Sequence, residues 1–287
     1  MKIRIVVCLK QVGYIYHPIG IDAPGGTIDR EKMVYLLNPY DEFALEESLK
    51  IKESFPGSEV ILITVGPPRT AETLRYAFSF GADKMIRVQC ENLDVWSTAL
   101  LLAEVIRKLK FDLILCGKKA IDTNGGQVGS FVAECLKIPQ VSGIVGLELS
   151  PQGGKAIVER YLGKGDREVV ECDLPALFTV ERSMNDPRYP TVRNRLLAER
   201  LEVEEINAKS LNINMDPGMS LSKCMRLSPP RPKPKKVFTP DSRLSARERM
   251  QFIMSGGMAG KNSDLFEGPP EEMADKIMEV LIQEKIL

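Results

Sequence analysis

The chain has 287 residues, enough to bury a substantial core as one large domain with an appendage or as two domains. Hydrophobic residues make up 44%, charged residues 27%, and the formal net charge is zero, which argues against a general nucleic-acid or membrane-surface binder. No apolar run reaches the roughly 18 residues of a membrane span, and a strand pattern begins near the first residue. We therefore expect a cytoplasmic protein that does not insert into membranes.

Cysteine and histidine usage argues against a metal centre or a catalytic side chain. The six cysteines are scattered, without a CxxC pair, at positions 8, 90, 116, 135, 172 and 224. Buried free thiols in a reducing compartment fit this pattern better than disulfides or zinc or iron–sulfur ligation. The single histidine, His17, lies in a turn that we interpret as surface, and no serine–histidine–acid set is evident. We expect neither catalytic residues nor a metal.

The first half of the chain alternates between short apolar runs and helical patterns. The apolar runs predict strands at residues 3–9, 60–65, 85–88 and 114–116. Helical spacing predicts helices after a turn at residues 38–41, at 70–80, at 95–109 and from residue 131 toward Pro139. In that turn, Asp41 is predicted to cap the following helix. Strands that are apolar throughout and alternate with helices indicate an α/β fold, with a parallel sheet covered on both faces.

Ligands of such sheets bind beyond the carboxyl ends of the strands, so the residues that follow the strands are candidate binding residues. Four segments meet this condition: Cys8 to Lys10; Asn38, Pro39, Tyr40 and Asp41; Val65 and Gly66; and the loop of Asp122, Thr123, Asn124, Gly125, Gly126, Gln127, Val128, Gly129 and Ser130.

The loop at residues 117–130 is the most informative of these segments. An apolar strand stops at Gly117, a polar glycine-containing stretch follows, and a helical pattern then begins. Glycines let a backbone approach an anion closely, and the N–H groups at a helix start point toward it. The segment predicts a phosphate cradle. A strand-to-helix turn without a ligand is the alternative, because neither the Walker nor the GxGxxG spacing is present.

After Pro139 the pattern changes to shorter strands and hairpins. Strands are predicted at residues 141–149, 155–161, 167–172 and 176–180, the first three joined by tight turns. A polar, proline-bounded loop over residues 181–191 precedes an arginine-rich helix. Taken on the residues alone, Met184 in this loop is interpreted as a side chain folded back onto the core.

The last quarter of the chain does not resemble an ordinary domain. Four prolines within residues 229–236 predict an extended tether, and the glycines around residue 256 predict a second break. A final helix with an apolar side begins near Pro269-Pro270, with acids in its first turn. We predict a domain over residues 1–225 and a docking arm over residues 226–287, which can reach a partner subunit.

Motifs spread along the chain occur in the same order in one known family. They are Val7-Cys8-Leu9-Lys10-Gln11-Val12, Asn38-Pro39-Tyr40-Asp41-Glu42, Gly66-Pro67-Pro68, Gly81-Ala82-Asp83-Lys84, Gly117 to Asp122 with Gln127-Val128-Gly129, Leu174-Pro175-Ala176, Asn185-Asp186-Pro187-Arg188-Tyr189, and Glu267 to Glu272. With these motifs, nearly the whole chain resembles the β subunit of electron-transfer flavoprotein. The resemblance implies a three-layer nucleotide-binding domain of the adenine nucleotide α-hydrolase-like type, with an antiparallel hairpin extension and a C-terminal arm.

The resemblance also implies ligands and partners. The family holds an adenine nucleotide, AMP, in this subunit, where the four strand-end segments lie, with phosphate on residues 127–130 and adenine near Cys8 and Val65. A redox FAD is shared with a larger α subunit in an obligate heterodimer. An aromatic residue of the first loop approaches that flavin, here Tyr14 or Tyr16. The arm wraps the α subunit.

The segment 182–191 resembles the family's recognition loop, which docks on acyl-CoA dehydrogenases. Met184 matches the apolar anchor of that loop, and the resemblance extends the docking set to Asn185, Pro187, Arg188 and Tyr189. A single buried apolar side chain can dominate such a small contact. The implied function is an electron carrier, rather than a stand-alone catalyst, that passes electrons from the dehydrogenase to a membrane quinone reductase.

Two alternatives remain open. In bifurcating members the same pocket holds a second FAD that oxidises NADH, and the glycine pair 125–126 leaves room for either ligand. A protein of another class, a stand-alone nucleotide-sensing module of the universal-stress type, would form a homodimer without a flavin partner. The long docking arm argues against the latter.

Overall fold

The structure is a computed structural model that describes residues 2–14, 21–22, 27–28, 33–91, 93–150, 153–211, 240, 243–254 and 268–283. The chain divides into two compact units, residues 1–229 and residues 230–287. The predicted proline tether, the break near residue 256, Tyr16 and His17 lie outside the described residues. No helix within the described ranges combines the length and the apolar character that a bilayer span requires.

The first unit contains thirteen described strands and five α-helices. The strands are β1 (Arg4–Cys8), β2 (Gln11–Tyr14), β3 (Ile21–Asp22), β4 (Thr27–Ile28), β5 (Val34–Leu37), β6 (Glu59–Gly66), β7 (Lys84–Gln89), β8 (Leu113–Gly117), β9 (Gln140–Leu149), β10 (Lys155–Gly163), β11 (Asp166–Asp173), β12 (Ala176–Val180) and β13 (Glu204–Asn207). The helices are α1 (Pro39–Ser54), α2 (Thr70–Phe78), α3 (Val95–Lys108), α4 (Val128–Leu136) and α5 (Val192–Arg200).

Nine of these strands form one sheet in the order β11-β10-β9-β12-β8-β1-β6-β7-β13. The seven strands from β9 to β13 in this order pair in parallel, whereas β10 pairs antiparallel with both β9 and β11. The predicted parallel α/β sheet with an antiparallel hairpin extension is confirmed. Strands β2 and β5 form a separate antiparallel pair, as do β3 and β4.

Two hydrophobic clusters cover the two faces of the sheet. Leu45 and Leu49 of α1 and Leu74 of α2 pack with Ile5 and Val7 on one face. On the other face, residues of α3 and α4 pack with alternate residues of the same strands: Val6, Ile61, Ile114, Ala99, Leu102, Ile106, Val132 and Ala133. Because both faces are covered, the central strands are apolar at successive positions, which is why the sequence identified them. The molecule therefore has the predicted three layers.

Two local predictions differ from the structure, and one edge strand of the sheet was not predicted. The helix predicted over residues 70–80 ends at Phe78. Asp41 does not cap α1: the N-cap residue is Asn38, it makes no side-chain cap hydrogen bond, and Asp41 lies inside the first turn. Strand β13 was not predicted, because its residues are mostly polar and, within the described residues, only β7 pairs with it.

The described part of the second unit consists of two helices, α6 (Ala246–Met254) and α7 (Pro270–Gln283). Helix α6 begins with a capping box in which Ser245 Oγ and Glu248 N are 3.3 Å apart and Ser245 N donates to Glu248 Oε2 at 2.8 Å. Helix α7 starts as the sequence predicted, with proline at its first position and Glu271 and Glu272 in its first turn. The described side chains Met250, Ile253, Met254, Ile277, Met278 and Ile282 are exposed.

Candidate functional site

The chain order of the strands reverses between β1 and β8, and sheets of this kind form their binding crevice at such a reversal. From β1 the chain proceeds to β6 and β7 on one side, and it then crosses to β8 on the other side of β1. Cys8 and Cys116, near the carboxyl ends of these strands, are register partners. Helices of such a switch point diverge to opposite faces and leave space at the strand ends. Three of the four predicted binding segments begin at this carboxyl-end edge of the sheet, namely residues 8–10, 65–66 and 122–130.

Asp41 joins the elements that border the crevice. Its Oδ2 accepts a hydrogen bond from Lys10 N at 2.7 Å, beyond β1, and its Oδ1 accepts from Gly117 N at 3.1 Å, at the end of β8. The amide of Asn38 donates to the same Oδ1 at 2.9 Å. Burial raises the pKa of Asp41 to about 7, against the effect of these donors. The side chain fixes the two strand ends relative to α1.

Asn38 extends this network to the loop after β8. Its Nδ2 donates to Lys119 O at 3.0 Å, and its Oδ1 accepts from Ile121 N at 3.2 Å. The side chain is 1% exposed, so both polar ends of a buried amide have partners. The start of the predicted phosphate loop is therefore held against the N-terminus of α1.

Gly117 is required by the close approach of α1 to β8. A Cβ atom at this position would lie 2.3 Å from Asp41 Oδ1, 2.6 Å from Tyr40 Cβ and 2.8 Å from the Tyr40 carbonyl carbon. Since real Cβ contacts do not come so close, a larger residue would displace the backbone of α1. The glycine that ends the strand serves internal packing of the crevice wall.

The predicted phosphate loop leaves its backbone accessible. Residues 122–127 and Ser130 are exposed, and Asn124 and Gly126 have φ values of 54° and 64°. Lys10 Nζ lies 2.7 Å from Asp122 Oδ1, which ties the loop to the end of β1. Helix α4 follows with Gln127 as its N-cap and no side-chain cap hydrogen bond. The N–H groups of such a first turn lack intrahelical acceptors, which suits an anionic group.

Gly129 brings that helix start close to the sheet. A Cβ atom here would lie 2.8 Å from Thr179 Cγ2 and 3.0 Å from Cys116 Sγ. Val128 is half-buried and packs against the hydrophobic cluster on the face of the sheet that α3 and α4 cover. Residues 128–129 therefore anchor α4, while Ser130 stays exposed. The first turn of α4 therefore lies directly at the carboxyl ends of β8 and β12.

Cys8, Val65 and Gly66 form the remaining predicted border of the crevice. Cys8 is 7% exposed, and burial raises the pKa of its thiol to about 12, so it behaves as an apolar group. Val65 is half-buried against the second core cluster. The carbonyl of Gly66 accepts a hydrogen bond from Arg87 Nη1 at 3.1 Å. These residues offer apolar surface and backbone groups.

The structure describes one of the two tyrosines predicted to lie near a flavin. Tyr14 ends β2 and is 41% exposed, while Tyr16 lies outside the described residues. The strand of Tyr14 pairs with β5, which leads into Asn38 and α1. Tyr14 is thus on the chain segment next to the crevice.

The predicted docking segment divides into held and exposed residues. Met184 is half-buried and packs against the hydrophobic cluster on the face of the sheet that α1 and α2 cover, and Pro187 is also half-buried. Asn185 Nδ2 donates to Phe43 O and Glu47 Oε2, both at 3.0 Å. Arg188 forms ion pairs with α1, whereas Tyr189 is 93% exposed. The five predicted docking residues therefore do not present one common surface.

Two contacts between the crevice and residues 181–182, where this segment begins, were not predicted. Lys118 Nζ lies 2.7 Å from Glu181 Oε2, and the guanidinium of Arg182 lies 4.9 Å from the centroid of the Tyr40 ring. Partial burial opposes ionisation of Glu181, but the ammonium of Lys118 holds the pKa of Glu181 below its ordinary value. No sequence pattern indicates these pairs, because the partners are 63 and 142 positions apart.

A parallel sheet with helices on both faces and a crevice at its topological switch defines a doubly wound α/β protein. The family model described as electron transfer flavoprotein domain matches residues 25–211. A protein named caffeyl-CoA reductase–Etf complex subunit CarD, from Acetobacterium woodii, is 42% identical over 66% of this chain and 72% of its own length.

Two further relatives carry the name electron transfer flavoprotein subunit beta. The Megasphaera elsdenii protein is 32% identical over 99% of this chain and 100% of its own length. The Homo sapiens protein is 32% identical over 77% of this chain and 87% of its own length. The chain belongs to the electron transfer flavoprotein β-subunit family.

Proposed function

We propose that this chain pairs with an α subunit to form a heterodimeric electron transfer flavoprotein. In that assembly the β chain holds AMP, and a redox FAD lies between the two subunits. The proposal is supported by similarity along the whole chain to proteins named as β subunits of such a carrier. The observation that carries the nucleotide assignment is the exposed loop at residues 122–127 followed by an α4 start without a side-chain cap.

The donor chemistry of the crevice fits a mononucleotide. The first turn of α4 offers backbone N–H groups to a phosphate, and the hydroxyls of Ser130 and Thr123 lie in the same loop. Cys8 and Val65 offer apolar contact to a base, since the Cys8 thiol stays protonated. In the mechanism we propose, these residues bind and orient the nucleotide, and Asp41 and Asn38 keep the strand ends and loop in place.

Electron transfer itself belongs to the flavin, which supplies one- and two-electron chemistry when bound. The protein contributes position and electrostatics, so no side chain of this chain is assigned a bond-making step. We propose an acyl-CoA dehydrogenase-type flavoenzyme as donor and a membrane quinone reductase as acceptor. The relative named as part of a caffeyl-CoA reductase–Etf complex supports a CoA-ester flavoenzyme as neighbour. The buried free thiols of Cys8, Cys116 and Cys172 support a reducing, cytoplasmic location.

One observation favours a second candidate. Among the described residues, the atom nearest to a Cβ built on Gly125 would be Gln127 Oε1 at 3.9 Å, so these residues leave open space beside the proposed phosphate position. That space suits a larger ligand, a second FAD that accepts hydride from NADH in a bifurcating carrier. Production with the neighbouring α subunit and counting of bound cofactors separates the two. One FAD and one releasable AMP per heterodimer supports the shuttle, and two flavins without AMP supports bifurcation.

The same preparation tests the universal-stress alternative. A colourless homodimer obtained even when the α subunit is produced in the same cells would exclude an electron transfer flavoprotein. A yellow heterodimer would exclude the stand-alone module.

Docking of the donor is proposed to use the segment 182–191, with Met184 or Tyr189 as its main apolar contact. Met184 would have to leave its contact with the core, whereas Tyr189 is already exposed. We expect Tyr189→Ala or Met184→Ala to raise the KM for the dehydrogenase about tenfold, because one anchor can carry about 1 to 2 kcal/mol of such a contact. Tyr161→Ala, at a 41% exposed tyrosine of β10, serves as the control. Unchanged KM values in both docking variants would reject this assignment.

A further inference from the structure

The segment 185–188 is attached to α1 by an unusually complete set of polar contacts. Arg188 Nε lies 2.9 Å and 3.2 Å from the two carboxylate oxygens of Glu46, and Arg188 Nη2 lies 3.0 Å from Glu46 Oε1. The backbone N–H of Arg188 donates to Glu46 Oε2 at 3.1 Å. Glu53 binds the same guanidinium through both of its oxygens. The guanidinium of Arg188 is therefore held on α1 by two carboxylates.

Two carboxylates of α1 are buried, although buried helix positions are ordinarily apolar and carboxylates are ordinarily exposed. Glu46 is 3% exposed and Glu47 is 9% exposed, although neither belongs to the crevice. A buried carboxylate is destabilising unless it is paired and hydrogen-bonded. Arg188 supplies that pairing for Glu46, and Asn185 donates to Glu47. The sequence of α1 thus carries acids whose described partners lie about 140 positions later in the chain.

The contacts also change what Arg188 can do. The guanidinium of Arg188 donates hydrogen bonds from Nε and both terminal nitrogens to the carboxylates of Glu53 and Glu46. These bonds raise the pKa of Arg188, so the side chain keeps its charge. A side chain engaged in this way does not extend toward another protein. Tyr189, the next residue, is 93% exposed. Arg188, which is held on α1, and Tyr189, which is exposed to solvent, are therefore neighbours in the chain.

We propose that Arg188 is a positioning residue that clamps the segment 185–188 to α1, so that Tyr189 and the start of α5 are presented in a preformed arrangement. The inference rests on the proposed function for the role of that arrangement in docking. A segment fixed before binding loses less conformational entropy when the partner docks. Arg188 thereby acts on docking through the backbone of its own segment and makes no contact with the partner.

The experiment compares Arg188→Lys with Arg167→Lys in the flavin-loaded heterodimer. Lysine keeps the positive charge but loses the two-pronged contact with Glu46. Arg167 on β11 forms an exposed ion pair with Glu159 at 2.9 Å, so it provides a matched Arg→Lys exchange away from the segment. Both positions are potential trypsin sites, which allows the same readout for both.

Limited trypsin digestion reports the clamp itself. We expect cleavage after position 188 to become at least tenfold faster in Arg188→Lys than in the wild type, while cleavage after position 167 does not accelerate in Arg167→Lys. Glu53→Gln, which leaves the Glu46 contact in place, should give an intermediate rate. Equal cleavage rates at position 188 in Arg188→Lys and wild type would overturn the proposal.

Reduction by an acyl-CoA dehydrogenase and its acyl-CoA substrate reports the consequence for docking. We expect Arg188→Lys to raise the KM for the dehydrogenase at least threefold, with flavin content and the rate at saturation unchanged. A residue with only a structural role would lower flavin content or the saturated rate instead, and that result would overturn the positioning role. If even the wild-type heterodimer is not reduced, the proposed function fails, while the digestion result still decides whether the clamp exists.

Discussion

Replacement of Gly117 by alanine tests the geometry of the crevice directly. The added methyl group would lie 2.3 Å from Asp41 Oδ1 and 2.8 Å from the Tyr40 carbonyl carbon. The second contact is with backbone, so rotation of a side chain cannot relieve it. Overpacking of this kind costs about 3 kcal/mol at the upper end of its usual range. In a domain of this size that corresponds to a Tm about 6–12 °C lower.

Gly125→Ala provides the matched control for this prediction. Gly125 lies eight positions later in the same loop region, and the nearest described atom to its new methyl group would be 3.9 Å away. We expect a change in stability of less than about 1 kcal/mol, since surface exchanges without strain usually have small effects. The two variants therefore share chemistry and differ in the space available.

The two measurements are thermal unfolding of the heterodimer and, after denaturing extraction, the content of the nucleotide that we propose it binds. Gly117→Ala should unfold earlier and retain less nucleotide, because displacement of α1 breaks the Gly117 N to Asp41 hydrogen bond and moves the start of the loop. Gly125→Ala should resemble the wild type in Tm. Equal Tm values for the two variants would refute the reasoning that α1 and β8 meet at this glycine.

Two further predictions follow from buried charge. Burial raises the pKa of Asp41 from 3.8 to about 7, so the folded protein binds a proton on this carboxyl group more tightly than the unfolded chain does. Up to about 4 kcal/mol of folding stability is therefore lost as the pH rises from 4 to 7. The Tm deficit of Asp41→Asn should therefore shrink between pH 5 and pH 8, and a deficit that grows with pH would show that the three N–H donors dominate instead. Arg87 is 2% exposed and its partner Glu205 is 53% exposed at the side chain, so Glu205→Ala, which leaves a buried charge without its carboxylate, should cost about 3 kcal/mol. Arg87→Met should cost less by thermal unfolding, and the reverse order would contradict this account.

The sequence predicted the sheet well because its central strands are buried on both faces. Ile5, Val6 and Val7 are all fully buried in the structure, and a short, continuous run of β-branched residues is typical of such a strand. The motifs at the strand ends likewise identified the family. Strand β13 was missed because an edge strand with polar residues carries no hydrophobic period.

The contacts that organise the candidate site could not be predicted in the same way. Asp41 was interpreted as a local cap, but its hydrogen-bond donors at Lys10 and Gly117 lie 31 and 76 positions away. The acids Glu46 and Glu47 look like solvent-facing residues of an amphipathic helix until the distant segment that covers them is known. A single sequence shows the secondary-structure propensities of its residues and the periodicity of its hydrophobic positions. The pairings described here depend instead on how the chain folds back on itself.

The exposed apolar side chains of α6 have a practical consequence for handling the protein. Met250, Ile253 and Met254 are 67%, 60% and 83% exposed, within a helix of nine residues. Several exposed apolar side chains on one short helix promote non-specific association, and the exposed methionines are vulnerable to oxidation. Recombinant β chain purified by itself should therefore precipitate or form mixed aggregates on storage, and material for biophysical work should come from bacteria that express both genes together.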